Sequence, residues 1–237
     1  MSFIKNLTHH TMVRDSEHCV NQTMTRALKN GDLVAVYNEE RYPYHHDSGR
    51  TMMTSKDGGV TWSDPSIVVD WSDTTGNWDC GICELEDGTL LVNFTITGFF
   101  KRGQKPTQPS WASVPNTNKW GDWTWAFKTQ GWLGTFVVKS KDGGKTWSAP
   151  IPVNVRPMKH GGCRSGCWQL PDGGLLMGLY GRIHGYGEAG EGESTRSALM
   201  RSDDGGDNWE YYSTLAYDPA NIIDFEEPDL VRLKDGR

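Results

Sequence analysis

Four polar residues stand at one recurring place in this 237-residue sequence: Gln22, Asp79, Arg164 and Glu227 each lie six positions before a leucine, namely Leu28, Leu85, Leu170 and Leu233. A glycine turn follows each leucine, at Asn30-Gly31, Asp87-Gly88, Asp172-Gly173 and Asp235-Gly236. Two carboxylates, a guanidinium and an amide in one structural register could hold a polar ligand between them or move protons to and from it. The plainer role for the same four is to satisfy backbone groups where a strand begins. A second concentration of reactive groups is Glu39-Glu40-Arg41-Tyr42-Pro43-Tyr44-His45-His46-Asp47-Ser48, with three acids, two histidines and two tyrosines. Loops carry function more often than the packed strands they join. A third is the stretch from Thr107 to Trp132, which holds Trp111, Trp120, Trp123, Trp125 and Trp132 among Pro, Asn, Gly and Lys. Indoles beside hydrogen-bonding side chains suit a sugar, with Trp123 as the candidate contact, and equally suit packing of the stretch onto its neighbours.

The elements that must position these groups announce themselves as repeats. Each Gly turn that has a following segment leads into an apolar run, Leu33–Val36, Leu90–Val92 or Leu175–Met177, which is a strong hairpin signal. Further on comes Ser55-Lys56-Asp57-Gly58-Gly59-Val60-Thr61-Trp62, which returns at Ser140–Trp147 and, with Asn208 in place of the threonine, at Ser202–Trp209. Each unit therefore reads strand, Gly turn, strand, loop, strand, Asp-Gly-Gly turn, strand. The expectation is an all-β chain, a β-propeller of four-stranded antiparallel blades, with a solenoid of sheets as the alternative. The units run over about 21–70, 78–158, 159–219 and 221–237, with the Trp-rich insertion at about 107–132. This describes a single partial domain of about three blades and the start of a fourth. In radial blades, equivalent positions approach one axis, so Gln22, Asp79, Arg164 and Glu227 are expected to meet at the mouth of a central channel.

Composition narrows the classes. Hydrophobic content is 36%, with 28 Gly and 11 Trp, which suits short strands, many turns and aromatic packing. A net charge of -6 without a basic run argues against a nucleic-acid partner. No stretch is long and apolar enough for a membrane span, and no leader is visible at the amino terminus, which favours the cytoplasm without fixing it. Five cysteines make no tidy disulfide framework; Cys80-x-x-Cys83 and Cys163-x-x-x-Cys167 read as buried thiols rather than zinc half-sites. The Gly-rich, acidic segment Gly181–Glu193 lacks the Lys and Ser/Thr of a phosphate loop. No metal or other cofactor is called for, and the oligomeric state is open.

The Ser-x-Asp-x-Gly-x-Thr-Trp units resemble the Asp-box, or bacterial neuraminidase repeat, of the sialidase superfamily, whose members form six-bladed propellers. On that pattern Arg41 matches the family's Arg near the end of the second strand, and Asp47 matches its loop acid/base. Glu226-Glu227-Pro228-Asp229-Leu230-Val231-Arg232 resembles the fourth-blade segment in which Glu227 would activate a tyrosine nucleophile. The resemblance implies an exo-glycosidase acting on terminal sialic acid or a related sugar, with a glycan as partner; Arg164, which matches no motif of the family, offers positive charge near the substrate, and Tyr44 of the reactive loop is a further candidate contact. One departure stands out: the family's Arg-Ile-Pro, whose Arg opens a carboxylate clamp, is here Gln22-Thr23-Met24-Thr25-Arg26. Arg14 and Arg26 are the candidates to stand in for it. The remaining clamp arginines and the Tyr would lie in later blades, so this chain alone is expected to be inactive. A non-catalytic glycan-binding propeller and a glycosidase of different specificity are the alternatives.

Overall fold

The computed structural model describes residues 8–40, 49–69, 75–101, 119–120, 123–125, 132–183, 193–231 and 233. Among them there is no α-helix, and the strands form three antiparallel sheets. The first comprises β1 (Cys19–Ala27), β2 (Leu33–Glu40), β3 (Gly49–Ser55) and β4 (Ser66–Val69), side by side in that order. In the second, β5 (Thr75–Glu84) pairs with β6 (Leu90–Lys101), and the short strands β7 (Lys119–Trp120) and β8 (Trp123–Trp125) follow. That sheet is completed by β9 (Trp132–Ser140) and β10 (Ile151–Pro152). The third runs β11 (Cys167–Gln169), β12 (Leu175–Gly181), β13 (Arg196–Ser202), β14 (Glu210–Ala216).

The second sheet corrects one detail of the sequence reading. Its second strand does not end with the apolar run Leu90–Val92 but continues to Lys101, where Phe99–Lys101 pair with Trp123–Trp125. Part of the expected insertion is therefore sheet. Likewise β1 begins at Cys19, two residues ahead of the start expected for the first unit, at about 21.

Period-two alternation builds the core. On β6, Leu90, Val92 and Phe94 face the first sheet, packing with Val34, Val36 and Met52. Leu91 points the other way, against Leu175, Met177 and Trp209 of the third sheet. On β5, Cys80 and Ile82 join the first cluster and Cys83 the second, so Cys80 and Cys83 do point to opposite faces. The sheets thus stack face to face, with the middle one buried on both sides.

The three Asp-boxes are the turns that follow β3, β9 and β13 and lead to β4, β10 and β14. Ser55 Oγ donates to Asp57 Oδ1 at 2.9 Å, and Asp57 accepts from the Thr61 amide at 2.8 Å and its hydroxyl at 2.6 Å. Gly58 and Gly59 turn the chain at φ of 73° and 92°, a region open to glycine and costly for other residues. The bonds recur at Ser140–Asp142–Thr146 and at Ser202–Asp204–Asn208, with the Asn208 amide replacing the hydroxyl. Trp209 is buried and closes its turn by donating Nε1–H to the Gly206 carbonyl at 3.1 Å.

Antiparallel order sorts the connections. The hairpins β1–β2, β5–β6 and β11–β12 and the three Asp-boxes lie at one end of the sheets. The ends of β2, β6 and β12 and the starts of β3, β9 and β13 lie at the other, and Gln22 and Asp79 sit toward that end of their strands.

Candidate functional site

Three of the four register positions share an uncommon backbone. Gln22, Asp79 and Glu227 have φ of 53°, 42° and 51°, in the left-handed region where a residue with a Cβ is strained. At Gln22 and Asp79 the cause is a bulge: the β1–β2 register shifts between Asn21 and Met24, and the β5–β6 register between Trp78 and Cys80. A bulge re-aims the side chain that a regular strand would send sideways. Arg164, at the same register, lies in the segment before β11.

The side chains then meet. Arg164 Nη1 donates to Asp79 Oδ1 at 3.0 Å and to Glu227 Oε1 at 3.4 Å, and the Asp79 amide donates to Gln22 Oε1 at 3.0 Å. Four units of the chain are linked in one hydrogen-bonded row. Asp79 is held at every polar group, since Arg50 Nη2 donates to its carbonyl at 2.8 Å and the Tyr180 hydroxyl to its Oδ2 at 2.7 Å. Glu227 is fixed through its neighbours: the Phe225 amide donates to the Thr195 carbonyl at 2.9 Å and Ser165 Oγ to the Pro228 carbonyl at 3.0 Å.

Exposure divides the row into a back and a front. Asp79 is 0% exposed, whereas the side chains of Arg164 and Glu227 are 38% and 50% exposed. Burial pushes the Asp79 carboxyl up to about 6, opposed by the Tyr180 hydrogen bond and the Arg164 charge and assisted by the Glu227 charge. Tyr180 is itself pushed well above the ordinary phenol range, by burial first and then by the Asp79 charge. A phenol so buried, already donating to a carboxylate, is a clamp and not a nucleophile. The arrangement therefore offers a ligand one exposed carboxylate and one exposed guanidinium, backed by a buried acid.

The other candidates fall elsewhere. Arg26, four residues along β1 from Gln22, pairs with Asp229 at 3.2 Å and lies over the Trp168 ring at 5.8 Å, so it ties β1 to β11 and to the segment of the fourth unit. Arg14 is exposed and makes no side-chain bond among those described. Trp123 belongs to β8, on the extension of β6 beyond the row of Asp79. Arg41, Tyr44 and Asp47 lie outside the described residues. Their flanks, Glu40 and Gly49, are at the same end of the first sheet as Gln22, because Asn21 pairs with Asn38 and Asn38 with Arg50.

Sequence reasoning missed Arg50 and Tyr180. Tyr180 is a phenol in the otherwise apolar run of β12, a signal that could have marked it; Arg50 stands between Gly49 and Thr51 in a partly polar strand and carries no such mark. Cys83 and Cys167 correct the expectation of lone thiols, for they form a disulfide across a Cα–Cα distance of 5.8 Å, while Cys19, Cys80 and Cys163 remain free. One group among the described residues gathers metal-type ligand atoms, Asp15, His18 and Glu39, within 4.8 Å of one another. His18 Nδ1 already lies 2.9 Å from Asp15 Oδ2 in an exposed pair, which accounts for the grouping. Among the described residues no helix is long and apolar enough to cross a membrane.

Comparison with known proteins supports the architecture. Residues 138–149 match the BNR/Asp-box repeat family. A protein of unknown function from Dyadobacter fermentans superposes with a TM-score of 0.72 at 20% identity, over 96% of this chain and 62% of that one. A variant of the NanB sialidase from Streptococcus pneumoniae gives 0.58 at 12% identity over 89% and 46%, and the intramolecular trans-sialidase from Ruminococcus gnavus 0.56 at 14% over 82% and 60%. The fold is that of the sialidase-like β-propellers. The propeller described here spans between 46% and 62% of the length of those solved chains. At such identities the likeness concerns the fold. No curated protein sequence matches the chain.

Proposed function

We propose that the propeller belongs to a carbohydrate-active protein of exo-glycosidase type, which takes a terminal sugar at the channel mouth over Arg164 and Glu227. One observation carries this reading: Glu227, an exposed carboxylate, shares the Arg164 guanidinium with a buried acid, in a row that joins residues of four units. A positioned, solvent-facing carboxylate is what proton removal from a nucleophile requires, and Arg164 beside it offers donors to sugar oxygens. Asp47 is the proposed general acid, Arg41 and Tyr44 are proposed substrate contacts from the same loop, and Trp123 a more distant one. Sialic acid is the sugar the resemblance implies. Gln22 at the clamp position, bonded to the Asp79 amide, favours another terminal sugar, because an amide cannot replace the bidentate charge of Arg.

The test is hydrolysis of a panel of fluorogenic glycosides, a sialoside included, by the full-length protein and by Glu227→Gln and Asp47→Asn. Turnover of one glycoside, falling about 100-fold or more in each variant, is expected. Turnover undiminished in Glu227→Gln would remove that residue from the chemistry. Glycan binding without turnover would establish the second reading, a non-catalytic glycan-binding propeller, which the same Gln22 favours.

A further inference from the structure

Arg164 presents only part of its charge to a ligand. Its Nη1 is shared between Asp79 Oδ1 and Glu227 Oε1, at 3.0 and 3.4 Å, so two carboxylates offset one guanidinium. Asp79 cannot turn away, because Gln22 holds its amide, Arg50 its carbonyl and Tyr180 its second oxygen. Of the other groups packed around Asp79, Arg50 is fully buried and donates to the Asp79 carbonyl, so it offers a ligand from solvent no donor, and Tyr180, Cys80 and Cys163 are uncharged, each held above its usual range by burial. A carboxylate arriving from solvent meets a guanidinium that is already compensated, next to the exposed charge of Glu227. Like charges at contact distance repel strongly where water is partly excluded. A hydroxyl meets no such penalty. It can accept from the exposed Arg164 donors and donate to Glu227, and two adjacent hydroxyls of a sugar ring offer both at once.

We propose that the mouth formed by Arg164 and Glu227 is a subsite for a neutral sugar, read through neighbouring hydroxyls, and that Asp79 is the residue that sets its preference against acidic sugars. Asp79 acts through Arg164 and is a positioning residue. The inference rests on the carbohydrate reading above and narrows it to a substrate class.

The experiment compares matched methyl glycosides that differ only at C6: glucoside with glucuronide, galactoside with galacturonide, mannoside with mannuronide. Each is titrated calorimetrically into the full-length protein at pH 7.5, into Asp79→Asn and into Glu227→Gln. Asn tolerates the left-handed backbone at position 79 and removes the buried charge. Glu227 is half exposed, so its substitution leaves the core alone and keeps the test open if Asp79→Asn fails to fold. The expected result is that the neutral member of the preferred pair binds at least tenfold tighter to the wild type. In each variant the ratio should shift toward the acidic member by about tenfold, a change a merely structural role would not produce. A wild type that favours the acidic member, or a ratio unchanged in both variants, overturns the neutral subsite and leaves the carbohydrate reading standing. Failure of every glycoside to bind, while circular dichroism shows a folded protein, overturns both.

Discussion

Asp79 is the residue on which the site turns, and its burial makes a prediction about pH. Its carboxyl titrates near 6 in the folded protein, above the ordinary 3.8, so between those values the native state holds a proton that the unfolded chain has released. Stability associated with this group is therefore fully present below about pH 4 and declines as pH rises toward and through 6, by on the order of 1–3 kcal/mol. Asp79→Asn should remove that slope: urea unfolding from pH 4 to 7.5 should show the variant gaining on the wild type as pH rises. Parallel curves would mean that Asp79 is solvated in a way its surroundings do not suggest. Tyr180→Phe takes a hydroxyl from the same carboxylate, and the loss of a buried bond of this kind costs about 1–3 kcal/mol. That loss should be largest at pH 7.5, where Asp79 is ionised. The register of this residue was legible because the leucine and Gly turn downstream recur in every unit. Its clamps were not, since Arg50 and Tyr180 come from other strands of the chain, and no short-range spacing links them to position 79.

At the scale of the element, the Asp-box and the inner strand behave differently. The box acids Asp57 and Asp204 are held down to about 2, the first chiefly by Thr61 and the second by Asn208, and Asp142 is lowered further by Thr146. These are depressed carboxylates, so their contribution is present above about pH 4 and is lost as pH falls toward 2, opposite in sign and lower in pH than that of Asp79. Asp142→Ala should lower the thermal midpoint by roughly 3–6 °C at pH 7, a difference that shrinks as pH falls below about 4 and persists to lower pH than at the other two boxes. The box could be read directly because every bond in it spans four residues or fewer. The inner strand depends on its neighbour instead. A Cβ on Gly81 would sit 2.2 Å from the Gly166 backbone nitrogen, so β5 lies directly against the segment that carries Arg164. Gly81→Ala must push the two sheets apart at the site; urea unfolding should show a loss of about 2 kcal/mol or more, and ligand binding should weaken with it.

At the scale of the molecule, sheets distant in sequence are fastened across their interfaces. The Cys83–Cys167 disulfide joins β5 to β11 over 84 residues, and Arg26 reaches Asp229 on the inner segment of the fourth unit. Denatured without reductant, the protein should expose three reactive thiols, and five after reduction, by a colorimetric thiol count. Five without reductant would show the pair to be unlinked. Cysteine spacing was uninformative here because the partners sit on different blades, whose separation in the chain depends on loop lengths and carries no chemical rule.

What the residues alone determined was the local grammar: hairpins set by Asn-Gly and Asp-Gly, boxes set by Ser, Asp and Thr, and strands set by alternation. Each depends on groups within reach of one another along the chain, so their identities suffice. The long β6 and the bulges at Gln22 and Asp79 belong to the tertiary structure, as do the burial of Asp79 beneath Arg164 and the withdrawal of Arg26 to Asp229. They arise where side chains from separate sheets compete for the same hydrogen bonds, and that competition exists only after the sheets have packed.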